Sequence, residues 1–320
     1  MIRRKRNTKF IVCIVALFIG ASFIPVSLTA LQNNINGLTT RTLKNMSNPQ
    51  TNNSVIIICG GKDDFLQPAF ERVANLAYQT FRKLGYTNDD IYYLSRNTSF
   101  QGIDKKDTIE NIRYAITYWL KNRSTDDSKY FIVLIDHGNY TGGQVTVNDD
   151  YIYPETFSNW LNNITNYSTG TILISSYYSG KFIKYLSNPK RIVMTSTDDS
   201  SKGYSDFKND IVGTAFFKAL NKGISYGKAW EAADSEMDKL IHEIYIHGLF
   251  EYTKYKLPEV FEKRNSSIVW WIIQWCFWQY KFWCGNPQID DNGDGIGHGT
   301  KWQDKLPLYG DGNLALNIYP

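Results

Sequence analysis

YFIVLIDHG, residues 130–138, carries the reading of the fold. Apolar residues run from Tyr130 to Ile135 without alternation, then give way to Asp136, His137 and Gly138. An unbroken apolar run of this length is what a strand covered on both faces requires. Working outward, SVIIICG (54–60), IYYLS (91–95), TILISS (171–176) and KRIVMTS (190–196) read the same way. The stretches between them change period. Phe70, Val73, Ala74, Ala77, Phe81 and Leu84 recur at helical spacing after Pro68, and Gly85 ends the run. Ile109, Ile112, Ile116 and Leu120 mark a second helix, with Asp107 and Glu110 spaced as a capping box. Pro154 opens a third helix through Trp160 and Leu161, and helices follow at 211–221 and 225–240. QVTVNDDYIY (144–153) alternates around Asn148, Asp149 and Asp150 as a hairpin does. Strands alternating with helices predict an α/β protein: a three-layer sandwich with a mainly parallel central sheet.

The chain has 320 residues, 42% hydrophobic and 15% aromatic, which excludes a disordered or collagen-like chain. Its four cysteines are too few for a dense disulfide framework. The formal charge of +4 suggests nucleic acid until it is located. Arg3, Arg4, Lys5, Arg6 and Lys9 crowd the first nine residues, and no acid precedes Asp63. Without those five, 30 basic residues face 31 acidic ones, so no nucleic-acid partner is expected. The apolar run Phe10–Ala30 follows at once. Basic end, apolar core and small residues describe a signal peptide, and the run is also long enough for an N-terminal membrane anchor. Either way the remainder is expected outside the cytoplasm, secreted or membrane-anchored. Residues 31–53 form a polar, Asn-rich linker, and 54–320 the folded domain. Glycosylation sequons stand at Asn45, Asn52, Asn97, Asn122, Asn139, Asn163, Asn166 and Asn265.

Sites in open α/β sheets form beyond the carboxyl ends of strands. Two strand ends carry chemistry: His137-Gly138 after the first run, and Ser-Ser-Tyr-Tyr-Ser-Gly within ILISSYYSG (172–180). At these residues the chain resembles the C13 cysteine peptidases, the legumain and glycosylphosphatidylinositol-transamidase group, which have a caspase-like fold. The resemblance spans roughly residues 54–240 and returns over 286–320. His137-Gly138 matches the family's His-Gly after a hydrophobic strand. The second family motif is a hydrophobic strand, a small or acidic pair, the nucleophilic cysteine, one variable residue and Ser-Gly. Here the pair is Ser175-Ser176, the closing residues are Ser179-Gly180, and Tyr177 occupies the cysteine position.

The resemblance implies cysteine-type endopeptidase or transamidase activity with no required cofactor, acting on a peptide or protein ligand. It also implies backbone N–H groups of Gly138 and Tyr177 as the oxyanion hole. Tyr177 opposes the activity. A thiolate is the nucleophile in such chemistry, and a phenol with a pKa of about 10 is no ordinary substitute. Cys13 falls in the leader, Cys59 after a different strand, and Cys276 and Cys284 in a late segment. The expectation is a catalytically impaired homologue, a pseudoenzyme that binds; the alternative is an active hydrolase using His137 with a non-cysteine nucleophile. By the same resemblance, Ser200 and Ser201 in TSTDDSSKGYSD (195–206) are candidate substrate-binding residues. The helix that supplies a basic pocket residue in the family carries Ala69 at the matching position, with Arg72 near.

Two further segments stand out. Asp290, Asn292, Asp294 and Gly295 fit D-x-N-x-D-G, the first half of a calcium loop, but Lys301 sits where a bidentate glutamate belongs. A partial calcium site and a turn held by its own side chains both remain open. Within residues 241–285, where the resemblance lapses, NSSIVWWIIQWCFWQYKFWCG holds Trp270, Trp271, Trp275, Trp278 and Trp283. Indole enrichment suits contact with a membrane surface, a cover on the domain, or a protein-binding face. Cys276 and Cys284 could pair in an oxidising compartment.

Overall fold

The computed structural model describes residues 53–62, 65–145, 149–201, 210–240, 286–299 and 311–320. The leader, nearly all of the linker and the tryptophan-rich insertion lie outside them, as do the tip of the hairpin and Lys301. No described helix is long and apolar enough to cross a membrane.

The apolar runs form β1 (Ser54–Cys59), β2 (Ile91–Ser95), β3 (Lys129–Ile135), β6 (Thr169–Ser175) and β7 (Arg191–Thr195). Between β3 and β6, β4 (Gln144–Val145) and β5 (Tyr151–Ile152) pair as the expected hairpin. A short late strand, β8 (Gln288–Asp290), completes the main sheet. Its order is β2-β1-β3-β6-β7-β8. Every pairing is parallel except the last, where β8 runs antiparallel to β7. From β1 the path goes out to β2 and returns to β3 on the other side, so strand order reverses beside β1 and β3.

Helices cover both faces. On one side lie α1 (Gln67–Lys83), α5 (Ile211–Leu220) and α6 (226–240). Their Phe70, Phe81, Phe216, Phe217 and Trp230 pack on Val55, Ile57, Phe131, Val133 and Met194. On the other lie α2 (Ile109–Tyr114), which continues through a π-turn (Ala115–Leu120), α3 (Pro154–Leu161), and α4 (Ile183–Leu186). There Ile112, Ile116, Phe157, Leu161 and Phe182 meet Ile56, Ile58, Ile132, Leu134 and Ile172. Alternate side chains of each strand point to opposite faces, so one apolar run feeds both cores. Each such side chain contributes about 1.5–3 kcal/mol on burial. The three-layer sandwich expected from the sequence is what these residues form.

Two details differ from the expectation. Thr108, not Asp107, caps α2: its hydroxyl accepts from the Asn111 N–H at 3.2 Å. Asp107 is instead fully buried. The chain after β6 is also helical, a 3₁₀ turn (Ser179–Phe182) running into α4, where the sequence pattern predicts only a turn. A last short helix, α7 (Asn313–Asn317), follows β8.

Candidate functional site

Strand register places the two marked turns side by side. Ile135 lies opposite Ser175 in the parallel β3–β6 pair, so His137 and Tyr177 each stand two residues beyond the same rung. Their rings meet edge-on, with centroids 6.4 Å apart. The Phe70 ring of α1 contacts His137 on another side at 4.9 Å. The turn is held from beneath by Asp136, whose N–H donates to the Ser175 carbonyl at 3.0 Å and whose carboxylate accepts from the His137 N–H at 2.5 Å.

Gly138 is required by geometry. Its φ is +66°, and a Cβ there would come within 2.5 Å of the Tyr177 carbonyl oxygen. The Tyr177 N–H donates to the His137 carbonyl at 3.0 Å. That bond occupies one of the two donors expected to form an oxyanion hole, so a substrate oxygen would have to displace it. Tyr178 adopts φ +57°, a conformation that costs a tyrosine on the order of 1–2 kcal/mol. Such strain persists only where surroundings enforce it. Here the Tyr178 N–H donates to the Ser201 carbonyl at 3.1 Å.

Below the turn, hydroxyls form a buried net. Ser179 accepts from the Thr197 N–H at 3.1 Å, and its own N–H donates to the Thr197 hydroxyl at 2.8 Å. Ser196 accepts from the Ser176 N–H at 3.1 Å. Ser179 is therefore structural. Ser176 is only 5% exposed, its Oγ has no hydrogen-bond partner among the described residues, and it offers little access to an attacked carbonyl.

Cys59 ends β1, fully buried. Burial pushes its thiol well above the ordinary range, and the charges of Asp107, Glu71 and Asp136 push it further. It is a neutral thiol, unsuited to attack.

Ser200 and Ser201 belong to a cap built on Asp198. Its carboxylate accepts from the Ser200 N–H at 2.8 Å, the Ser200 hydroxyl at 3.0 Å and the Ser201 N–H at 2.7 Å. Burial alone would raise the Asp198 pKa, but these bonds and that from Asn286 outweigh it and hold the carboxyl low. A cavity of about 850 Å³ opens beside this loop, between Gly180, Lys181, Tyr153, Asp199 and Ile296. It lies towards β7 and includes neither His137 nor Tyr177.

The D-x-N-x-D-G segment folds as a chain of turns. Asp290 Oδ1 accepts from the Gly293 N–H at 3.0 Å, Asn292 Oδ1 from the Asp294 N–H at 2.8 Å, and Asp294 Oδ1 from the Ile296 N–H at 2.8 Å. Gly293 and Gly295 supply positive φ of 83° and 80°. No group of three or more His, Cys, Asp or Glu that could hold a metal occurs among the described residues. Nearby, His298 Nδ1 lies 2.6 Å from Asp311 Oδ2, and Asp291 accepts from the Gly312 and Ala315 N–H groups, so α7 is tied to β8.

Asp136 organises the turn after β3 and Asp198 the Ser200-Ser201 loop after β7, and no motif in the sequence marks either. An acid directly after a strand, and an acid two residues before a Ser-Ser pair, are the signals that could have found them.

No protein-family model and no curated protein matches the chain. Among solved structures it is similar to caspase-1 from Spodoptera frugiperda, at 9% identity over 60% of this chain and 78% of that one, with a TM-score of 0.44. A likeness that loose says nothing about activity.

Proposed function

We propose that the chain is a caspase-like homologue of the C13 peptidases that binds a peptide or protein but has lost cysteine-type catalysis. One observation carries the reading: the register sets Tyr177 beside His137, where a nucleophile would be needed. The strand order with its antiparallel last strand, and the motif residues at adjoining strand ends, favour that fold and family. The bond from the Tyr177 N–H to the His137 carbonyl further favours a resting, non-catalytic turn. Buried Ser176 and neutral Cys59 disfavour a substitute nucleophile.

Export belongs to the same proposal and rests on the N-terminal basic and apolar segments. Contact of the tryptophan-rich insertion with a membrane surface, and calcium at Asp290, Asn292 and Asp294, are proposals supported by sequence alone.

The test compares the wild type with Tyr177→Cys on peptides containing Asn or Asp. The wild type is expected to bind without turnover, and Tyr177→Cys to gain cleavage that His137→Ala abolishes. Wild-type turnover lost in His137→Ala would overturn the reading.

A further inference from the structure

We infer that the cavity beside the His137 and Tyr177 turns holds a neutral, proline-containing stretch of a bound peptide, extended in the polyproline II form between tyrosine rings. The inference rests on the peptide-binding reading above and specifies what is bound next to those turns.

The cavity begins where the two turns end. Tyr140 and Thr141 follow closely on Gly138, Gly180 and Lys181 follow closely on Tyr177, and all four line it. The start of α3, the chain from Gly180 to Tyr185 and the loop at Ile296 complete the wall. A peptide lying across His137 and Tyr177 therefore continues into it. Its volume of about 850 Å³ is that of pockets which bury a whole small ligand, more than one side chain fills.

Three properties of the lining select the occupant. The first is aromatic surface. Of the nine large hydrophobic side chains exposed among the described residues, four line this cavity: Tyr140, Tyr153, Tyr185 and Ile296. Tyr151 stacks on Tyr153 with ring centroids 6.3 Å apart, and Lys184 Nζ lies over the Tyr185 ring at 4.8 Å, so both rings are braced. Exposed tyrosines gathered around a concavity are the residues that carry binding energy in interfaces. The second property is charge balance. Lys181 and Lys184 are matched by Glu155 and Asp199, and the Asp198 carboxylate is occupied by Ser200, Ser201 and Asn286. A neutral stretch suits such a lining better than an acidic or a basic one. The third is hydrogen bonding. Strand addition needs an open sheet edge, and Ile289 of β8 already exchanges two bonds of 2.9 Å with His298. A polyproline II segment needs no edge: its carbonyls have no internal partners, and its prolines bring no N–H to satisfy. Phenol and ammonium groups of the lining donate to such carbonyls, while the rings pack against the prolines.

The experiment measures fluorescence anisotropy of labelled peptides with a central Asn flanked on each side by a run of Pro, Ala, Glu or Lys. Full-length wild type, Tyr140→Ala and Tyr153→Ala are compared, with circular dichroism confirming that all fold. The Pro peptide is expected to bind the wild type about tenfold tighter than the other peptides. Both variants are expected to bind the Ala peptide as the wild type does, with the preference for Pro reduced severalfold. Equal binding of the Pro and Ala peptides by the wild type, or preference for Glu or Lys, overturns the inference and leaves peptide binding standing. A preference for Pro unchanged in both variants also overturns it. Binding of no peptide overturns both.

Discussion

The turns after β1 and β6 close neighbouring parts of one sheet with opposite arrangements. The first ends on Cys59, fully buried, with acids around it that keep the thiol neutral. The second presents Tyr177, half-buried, beside a histidine. The residue type that could react is placed where it cannot, and the accessible place is given to a phenol. Burial and neighbouring charge decide reactivity, so the mere presence of Cys59 says nothing about catalysis.

The largest test of that contrast is thiol labelling. In Tyr177→Cys, iodoacetamide followed by peptide mapping is expected to modify the new thiol on the order of 100-fold faster than Cys59, which reacts only through opening of the core. Comparable rates would dissolve the distinction. Next comes Gly138→Ala. Its Cβ would collide with the Tyr177 carbonyl at positive φ, so thermal or urea unfolding should show a loss of about 3 kcal/mol. Gly85→Ala, also at positive φ but in open space, should cost nearer to about 1 kcal/mol. A smaller effect of opposite sign is expected at Tyr178→Gly, which relieves φ +57° and should stabilise by up to about 1 kcal/mol.

The smallest effect separates two acids near β6. Burial raises the Asp210 pKa, with partial relief from the Ser175, Gly213 and Val212 bonds. Its charged form opposes folding, so stability should rise as pH falls through its raised folded value. Asp198 is held low, so its contribution is full above the ordinary carboxylate value and is lost as pH falls from there through its lowered folded value. In pH-dependent thermal melts, Asp210→Asn should flatten the rise, while Asp198→Asn should lower stability at neutral pH and remove the acid-side fall. Asn keeps the cap at residue 210. Identical profiles for the two variants would break the comparison.

The sheet was legible because β1, β3 and β6 are apolar on both faces, and their unbroken runs leave little else to be. Helix α1 was legible from the spacing of its apolar residues between Pro68 and Gly85. What escaped depends on partners remote in sequence. β8 is three residues long, and its pairing with β7 comes from far along the chain. The 3₁₀ turn at Ser179 is fixed by Thr197, which no local pattern announces. At the site, His137 and Tyr177 could be named from motif and strand end. The acids around Cys59 could not, because Glu71, Asp107 and Asp136 come together only in the folded chain.

That late strand shapes how the molecule is made. β7 is synthesised about ninety residues before the strand that covers its outer edge. Until residue 288 emerges, the nascent sheet shows a row of unpaired amides and carbonyls on that side, an invitation to any other extended chain. At ordinary elongation rates the interval lasts about 5–20 s. A chain stalled or cut before Gln288 should therefore fail by sticking to its neighbours rather than by losing its core.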